Sequence, residues 1–294
     1  MTTVGFIGLG IMGGPMAANL VKAGFDVVGY NRSKPAADRL VEQGGRAAGS
    51  VAEAVRDADV VITMLPDSPD VEQVALGDDG VLANAKSGLL YIDCSTIKPD
   101  TARSVAEQAA KQGVRALDAP VSGGEQGAID GALSIMVGGE AEAFDAAADV
   151  FDAVGKTVVH VGKAGSGQTV KAANQLIVAG TLELVAESIV FLEAHAVDTE
   201  AALSVLNGGL AGSAILERKG ANMLKREFNP GFRAELHHKD LGIVQAAARE
   251  AGVTIPLGAV ASQLVGALVA RGDGKLDHSA LLKLVDELSG RSTP

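Results

Sequence analysis

The chain has 294 residues, of which 47% are hydrophobic and only 3% aromatic, and it carries a formal net charge of −11. That length can bury one large core and a smaller one. With no tryptophan, both must be built from Ala, Val, Leu and Ile, the residues of buried parallel strands and alanine-rich helices. The negative charge repels nucleic acid phosphates and anionic membranes, and the single cysteine, Cys94, excludes an intrachain disulfide; the expectation is a cytoplasmic protein with neither kind of partner.

The first strand begins by Val4, which leaves no room for a signal peptide, and no apolar run reaches the roughly 18 residues of a membrane span. Val4 to Ile7 runs into Gly8-x-Gly10-x-x-Gly13 and then into a helix with Met16, Ala17 and Leu20 at helical spacing. Gly8 permits a tight turn, Gly10 a close approach of backbone to a pyrophosphate, and Gly13 the packing of helix on strand. With Ile11 and Met12 they form a dinucleotide-binding turn at a helix N-terminus. Asp26 to Tyr30 is the second strand, and Pro35 to Gln43 the next helix. An acid at the end of that strand would bond the ribose of NAD, but here stands Asn31, followed by Arg32, Ser33 and Lys34. An amide, a guanidinium and a hydroxyl suit a 2′-phosphate, so NADP is preferred over NAD; the alternative is that Arg32 and Lys34 are an ordinary solvated pair.

Strands at Val60 to Met64 and Leu89 to Asp93 end in Leu65-Pro66 and Ser95-Thr96, and a helix spans Pro99 to Gln112. Ala116 to Ala119 enters the loop Pro120-Val121-Ser122-Gly123-Gly124, and strands at Ser134 to Val137 and Thr157 to Val161 flank a helix over Glu140 to Phe151. This alternation predicts an α/β domain over 1–163 with a Rossmann-type, mostly parallel sheet. Beyond Gly162 to Gly167 the strand signal ends. Thr169 to Ala194 predicts a helix of roughly 39 Å leading into an all-helical domain over 164–294. Further helices fit Ala201 to Leu206, Ala214 to Met223, Leu236 to Ala251, Ile255 to Arg271 and Ser279 to Leu288, with a frayed tail from Gly290 to Pro294.

Near the start of the long helix, Lys171 and Asn174 are three residues apart and share a face. Small and apolar neighbours would favour a neutral amine able to pass a proton to or from a carbinol oxygen; the alternative is a lysine snorkelling from an amphipathic helix. His237 and His238 read as structural or solvated, and no His, Cys or Asp spacing suggests a metal.

Four separated motifs, FIGLGIMGGPMAANL, DAPVSGG, GxGxxVKAANQ and HHKDL, resemble those of the β-hydroxyacid dehydrogenase family, and the resemblance covers the whole chain. GGLAGSAILERK, FNPGF and ELHHKDL are most similar to its tartronate semialdehyde reductases. The resemblance implies NAD(P)H-dependent reduction of a short 2-hydroxy-3-oxo acid, with Lys171 as general acid and base. It implies that Ser122, Gly123 and Gly124 hold the substrate carboxylate and that Asn174 orients the substrate, a role several relatives give to the next position, here Gln175. Lys239 would lie near nicotinamide ribose and substrate, and Leu65, Pro66 and Thr96 would cover the cofactor. Oxidation of 3-hydroxyisobutyrate, reduction of succinic semialdehyde or glyoxylate, and a catalytically silent cofactor-binding scaffold are the alternatives. The apolar stretch Leu176 to Leu192 exceeds what a small domain buries alone, so a homodimer or homotetramer is expected.

Overall fold

A computed structural model describes residues 1–291 and divides the chain into two compact units, Met1–Lys171 and Ala172–Pro294. The first opens with β1 (Thr3–Ile7), α1 (Gly13–Lys22), β2 (Asp26–Tyr30), α2 (Lys34–Glu42) and a two-residue β3 (Arg46–Ala47). It continues through α3 (Val51–Val55), β4 (Val60–Thr63), α4 (Ser68–Leu76), α5 (Val81–Asn84), β5 (Leu90–Asp93), α6 (Pro99–Lys111) and β6 (Arg115–Asp118). These strands lie in the order β3-β2-β1-β4-β5-β6, all parallel, with Val4 opposite Val27 on one side and Val60 on the other.

The pleat sorts the side chains into two cores. Val4, Phe6, Val60, Ile62, Leu90 and Ile92 face Met16, Ala17 and Leu20 of α1, while Ile7, Val61 and Tyr91 face Val71 and Ala75 of α4 and Ala102 and Val105 of α6. Small helix residues let the helices lie close on both faces, which is how a chain so poor in aromatics fills its interior.

After β6 the sheet changes sense. It adds β7 (Val121–Ser122), α7 (Gly124–Ile129), β8 (Leu133–Gly139), α8 (Ala141–Ala146), α9 (Ala148–Val154) and β9 (Gly155–Gly162). β8 is antiparallel to β6 and β7, and β9 is parallel to β8. Val121 and Ser122, read as loop, thus form a strand. The single helix expected over Glu140 to Phe151 is two, meeting at Ala147 with no Gly or Pro to mark the break.

α10 (Ser166–Ala194) is continuous across the division, which falls after Lys171 because its first turn is bonded into the first unit, as described below. By length and mean hydropathy, 1.7 over its most apolar window, α10 could cross a membrane, contrary to the expectation that no stretch qualifies; 44% of that window is buried inside the protein. The second unit continues with α11 (Thr199–Asn207), α12 (Ala214–Leu224), α13 (Ala234–Glu250), α14 (Pro256–Ala270) and α15 (Leu281–Leu288), and no strand appears among its described residues. Ala179, Leu182, Ala186 and Ile189 of α10 are buried against Leu241 and Val244 of α13, Val265 and Leu268 of α14, and Leu281 and Val285 of α15. Of the expected frayed tail, 292–294 lie outside the described residues.

Candidate active site

The glycine turn has the shape its sequence requires. At Gly8, with φ +99°, an added Cβ would lie 2.2 Å from the Met64 carbonyl oxygen, and at Gly13 it would lie 1.9 Å from that of Gly8, so neither position admits a side chain. At Gly10 it would meet nothing within 4 Å. Met12 caps α1 without a side-chain hydrogen bond, and the first turn holds no acid, so the positive end of the helix is left to its own N–H groups.

Gly10 and Ile11 line a cavity of about 580 Å³ together with Asn31, Ser33, Lys22, Arg39 and other residues of α1, α2 and α7. Asn31 accepts from the Leu9 N–H at 3.0 Å and donates to the Ser33 hydroxyl at 2.8 Å, so its amide braces the turn. The Arg32 side chain is 82% exposed and stands 3.8 Å from Asp70, outside the cavity wall. Arg39 of α2, which also lines the cavity, was not singled out from sequence. A bare turn, an open helix N-terminus and two basic side chains, Lys22 and Arg39, beside one acid, Glu125, fit a phosphate-bearing dinucleotide.

The carboxyl ends of the strands are tied to one another. The Leu65 N–H donates to the Ser95 hydroxyl at 2.8 Å, and that hydroxyl donates to Asp93 at 2.6 Å, as does Thr63 at 2.7 Å. The loops carrying Leu65, Pro66 and Thr96 are thereby brought together where such sheets bind ligands. Ser122 closes β7, and Gly123 and Gly124 follow with φ of +147° and +67°, a conformation that exposes successive backbone N–H groups.

Lys171 is only 7% exposed. Its place is set by Asp118, at the end of β6, whose two oxygens accept the N–H groups of Gly165 at 2.7 Å and Gln168 at 2.9 Å and so cap α10. Burial pushes the Asp118 carboxyl up to about 6 despite those two donors. The Gln168 side chain accepts from the Ile97 N–H at 3.0 Å and donates to the Ser95 carbonyl at 2.8 Å, locking the same turn to the loop after β5. Neither residue stands out in the sequence.

In the second unit, Asn174 donates to Gln175 at 2.7 Å, Gln175 donates to Asp240 at 2.6 Å, and the other Asp240 oxygen lies 2.7 Å from the Lys239 ammonium. His237 is fully buried and shares a ring-nitrogen hydrogen bond of 3.0 Å with His278, which neighbours Asp277; His238 is exposed. Asp277 accepts from Lys219, Gly231, Phe232 and Ser279. Burial alone would raise its carboxyl, but His278 and Lys219 hold it down to about 2, while burial drives His278 down to about 3.

Two family models divide this chain between them: the NAD binding domain of 6-phosphogluconate dehydrogenase matches 3–162, and the NAD-binding region of NADP-dependent 3-hydroxyisobutyrate dehydrogenase matches 165–285. The chain belongs to the β-hydroxyacid dehydrogenase family. It is 40% identical to the 2-hydroxy-3-oxopropionate reductase of Escherichia coli K12, over 96% of this chain and 97% of that one. A solved 3-hydroxyisobutyrate dehydrogenase of Mycobacterium tuberculosis with L-serine superposes with a TM-score of 0.88 at 36% identity, covering 97% of this chain and 99% of the other. Psf3 in complex with NADP+ and 2-OPP also superposes at 0.88, with 27% identity over 96% and 99%. The chain is therefore an NAD(P)-binding oxidoreductase acting on CH–OH groups, with a Rossmann-type first unit.

Proposed function

We propose that the chain reduces tartronate semialdehyde to glycerate, with NADP preferred to NAD and with Lys171 as proton donor. The observation that carries this reading is the burial of Lys171 three residues beyond a helix turn clamped by Asp118 and Gln168, because a fixed, desolvated lysine differs from one that snorkels to water. When bound, the nicotinamide supplies a hydride to the aldehyde carbon. Lys171 gives a proton to the aldehyde oxygen as charge develops there, and takes it back in the reverse direction. The Ser122 hydroxyl and the N–H groups of Gly123 and Gly124 hold the substrate carboxylate, while Asn174 and Lys239 orient the remainder. The identity to the E. coli reductase agrees with this substrate, but a 3-hydroxyisobutyrate dehydrogenase of Pseudomonas aeruginosa matches at the same 40%, so the choice of tartronate semialdehyde rests on the stretches GGLAGSAILERK, FNPGF and ELHHKDL.

Turnover of tartronate semialdehyde, succinic semialdehyde, glyoxylate, 3-hydroxyisobutyrate and L-serine, each with both cofactors and followed by nicotinamide absorbance, tests the assignment. Tartronate semialdehyde with NADPH is expected to give the highest kcat/KM, and a higher value with 3-hydroxyisobutyrate or L-serine would overturn it. Lys171→Ala is expected to lower kcat by about 10² or more while cofactor affinity holds. Near-normal turnover would remove Lys171 from the chemistry.

Ile177, Leu184 and Phe191 are 68%, 60% and 63% exposed and recur every seventh residue along α10. A stripe of that period packs best on a helix of the same period, which a second copy of the chain supplies, so the protein is a homo-oligomer through this face.

A further inference from the structure

We propose that Asp118 is a positioning residue whose negative charge holds the turn carrying Lys171, so that protonation of Asp118 loosens that turn and sets the acid limit of reduction. This rests on the reading above in which Lys171 is the proton donor.

Asp118 of β6 and Asp93 of β5 stand opposite each other in the parallel register, 4% and 3% exposed. Both line a cavity of about 10 Å³, room for one water molecule at most, so no hydrated counter-ion can enter between them. Tyr91, in the same cavity with its hydroxyl 2.8 Å from that of Thr63, is pushed well above its usual range by burial and stays neutral. From α4 and α6 the wall receives only Val71, Ala102, Val105 and Ala106. On the other side of β6, β8 carries no charged residue, and α8 buries Ala143 while Glu142 and Asp145 are exposed. The cations beside the turn are Lys163, which is exposed, Arg103, which is paired with Asp100, and Lys171 itself. Burial and the like charge of Asp93 outweigh the two N–H donors and push the Asp118 carboxyl up to about 6.

Each Asp118 oxygen accepts one N–H of the same turn, from Gly165 at 2.7 Å and from Gln168 at 2.9 Å. A carboxylate serves both donors, whereas a carboxylic acid carries a hydrogen on one oxygen, which then opposes the N–H it had accepted. A charge-assisted bond is lost, and with it the pairing of negative charge with the N-terminus of α10. The Gln168 side chain keeps its bonds to Ile97 and Ser95, so the turn loosens without detaching. Lys171 lies three residues beyond Gln168, on the next helical turn, and takes up the displacement. Reduction needs the donor to hold its proton, so acid favours Lys171 itself. A fall in turnover toward low pH therefore reports a group that must be without its proton, and Asp118 is that group.

The test follows kcat for reduction of the aldehyde the protein turns over best, with saturating NADPH, across pH. The wild-type value is expected to fall about 10-fold from about pH 7 to about pH 5, with its midpoint near 6. Asp118→Asn cannot ionise, and is expected to be about 10-fold slower at neutral pH, to show no acid limb, and to keep its NADPH affinity within about 2-fold. Asp93→Asn removes the like charge and is expected to move the limb to lower pH. An acid limb that persists unchanged in Asp118→Asn, or wild-type turnover of that variant at neutral pH, would overturn the proposal. A role in stability alone would lower activity without changing the shape of the profile. Should Asp118→Asn fail to fold, the wild type still decides. In ¹⁵N-labelled protein the backbone amide resonances of Gly165 and Gln168 must titrate together near pH 6, and resonances that do not move reject the clamp. The same resonances keep the two readings apart, because turnover retained in Lys171→Ala removes the donor assignment, whereas the titration reads Asp118 without turnover.

Discussion

Glu183, in the middle of α10, is 7% exposed, and its Oε2 has no hydrogen-bond partner among the described residues. Burial, reinforced by Glu187 one turn on, pushes its carboxyl from 4.5 up to about 7. A folded-state value above the unfolded one means that the native chain binds the extra proton, so stability falls as pH rises from the unfolded value and levels off above the folded one. Glu183→Gln imitates the protonated acid at every pH. Between about pH 5 and about pH 8.5 the variant should gain on the order of 2 to 3 kcal/mol on the wild type, since each tenfold change in proton affinity is worth about 1.4 kcal/mol and the lower pH already lies partly inside the window. An amide nitrogen without an acceptor costs about 1 kcal/mol throughout, so the variant should be marginally less stable in acid and more stable in base. Urea unfolding of both proteins at one chain concentration, at the two pH values, reads this difference. A variant whose advantage does not grow with pH would show that Glu183 is charged and satisfied in the native state, and would refute the argument.

Leu184→Glu places a charge in the exposed stripe without touching the core of the second unit, and should shift the light-scattering mass toward the monomer while thermal unfolding stays cooperative; an unchanged mass would remove α10 from the interface. Gly13→Ala should destabilise the first unit by about 1–3 kcal/mol, because its Cβ would press on the Gly8 carbonyl, whereas Gly10→Ala, which meets no protein atom, should leave stability alone. Both should weaken NADPH binding by about 10-fold or more in a fluorescence titration. Equal melting shifts for the two, or undiminished binding in Gly10→Ala, would contradict the role assigned to the turn.

The elements legible in sequence were those whose signal is local. β1 to α1 announced itself through three glycines and an apolar stripe, and the parallel strands through short Val-, Ile- and Leu-rich runs. The break at Ala147 and the antiparallel β7 left no trace, since alanine favours helix on either side of the break and two residues have no period. In the candidate site, Lys171, Ser122 and the glycine turn were singled out because they sit in motifs. Their supports were not: Asp118 reaches Gln168 across 50 residues, Gln175 reaches Asp240 across 65, and His237 meets His278 across 41. Such partners pair in space, and a single sequence carries no mark of which distant acid will find which amide. Asn31 combines the two. It was chosen for what it could offer a ribose; it does line the cavity, and its side chain also braces Leu9 and Ser33, a part no sequence signal announced.

The clamp at the start of α10 bears on how such an enzyme changes its diet. Asp118, Gln168 and the loop after β5 all belong to the first unit, and Gly167 is hemmed in so closely that an added Cβ would lie 2.4 Å from the Met136 carbonyl oxygen. The lysine is therefore registered by parts that never need to know which acid is being handled, while Asn174, Gln175, Lys239 and Asp240 belong to the other unit. Divergence, or a designed library, can vary the second group and inherit the proposed proton donor, with its clamp intact, each time.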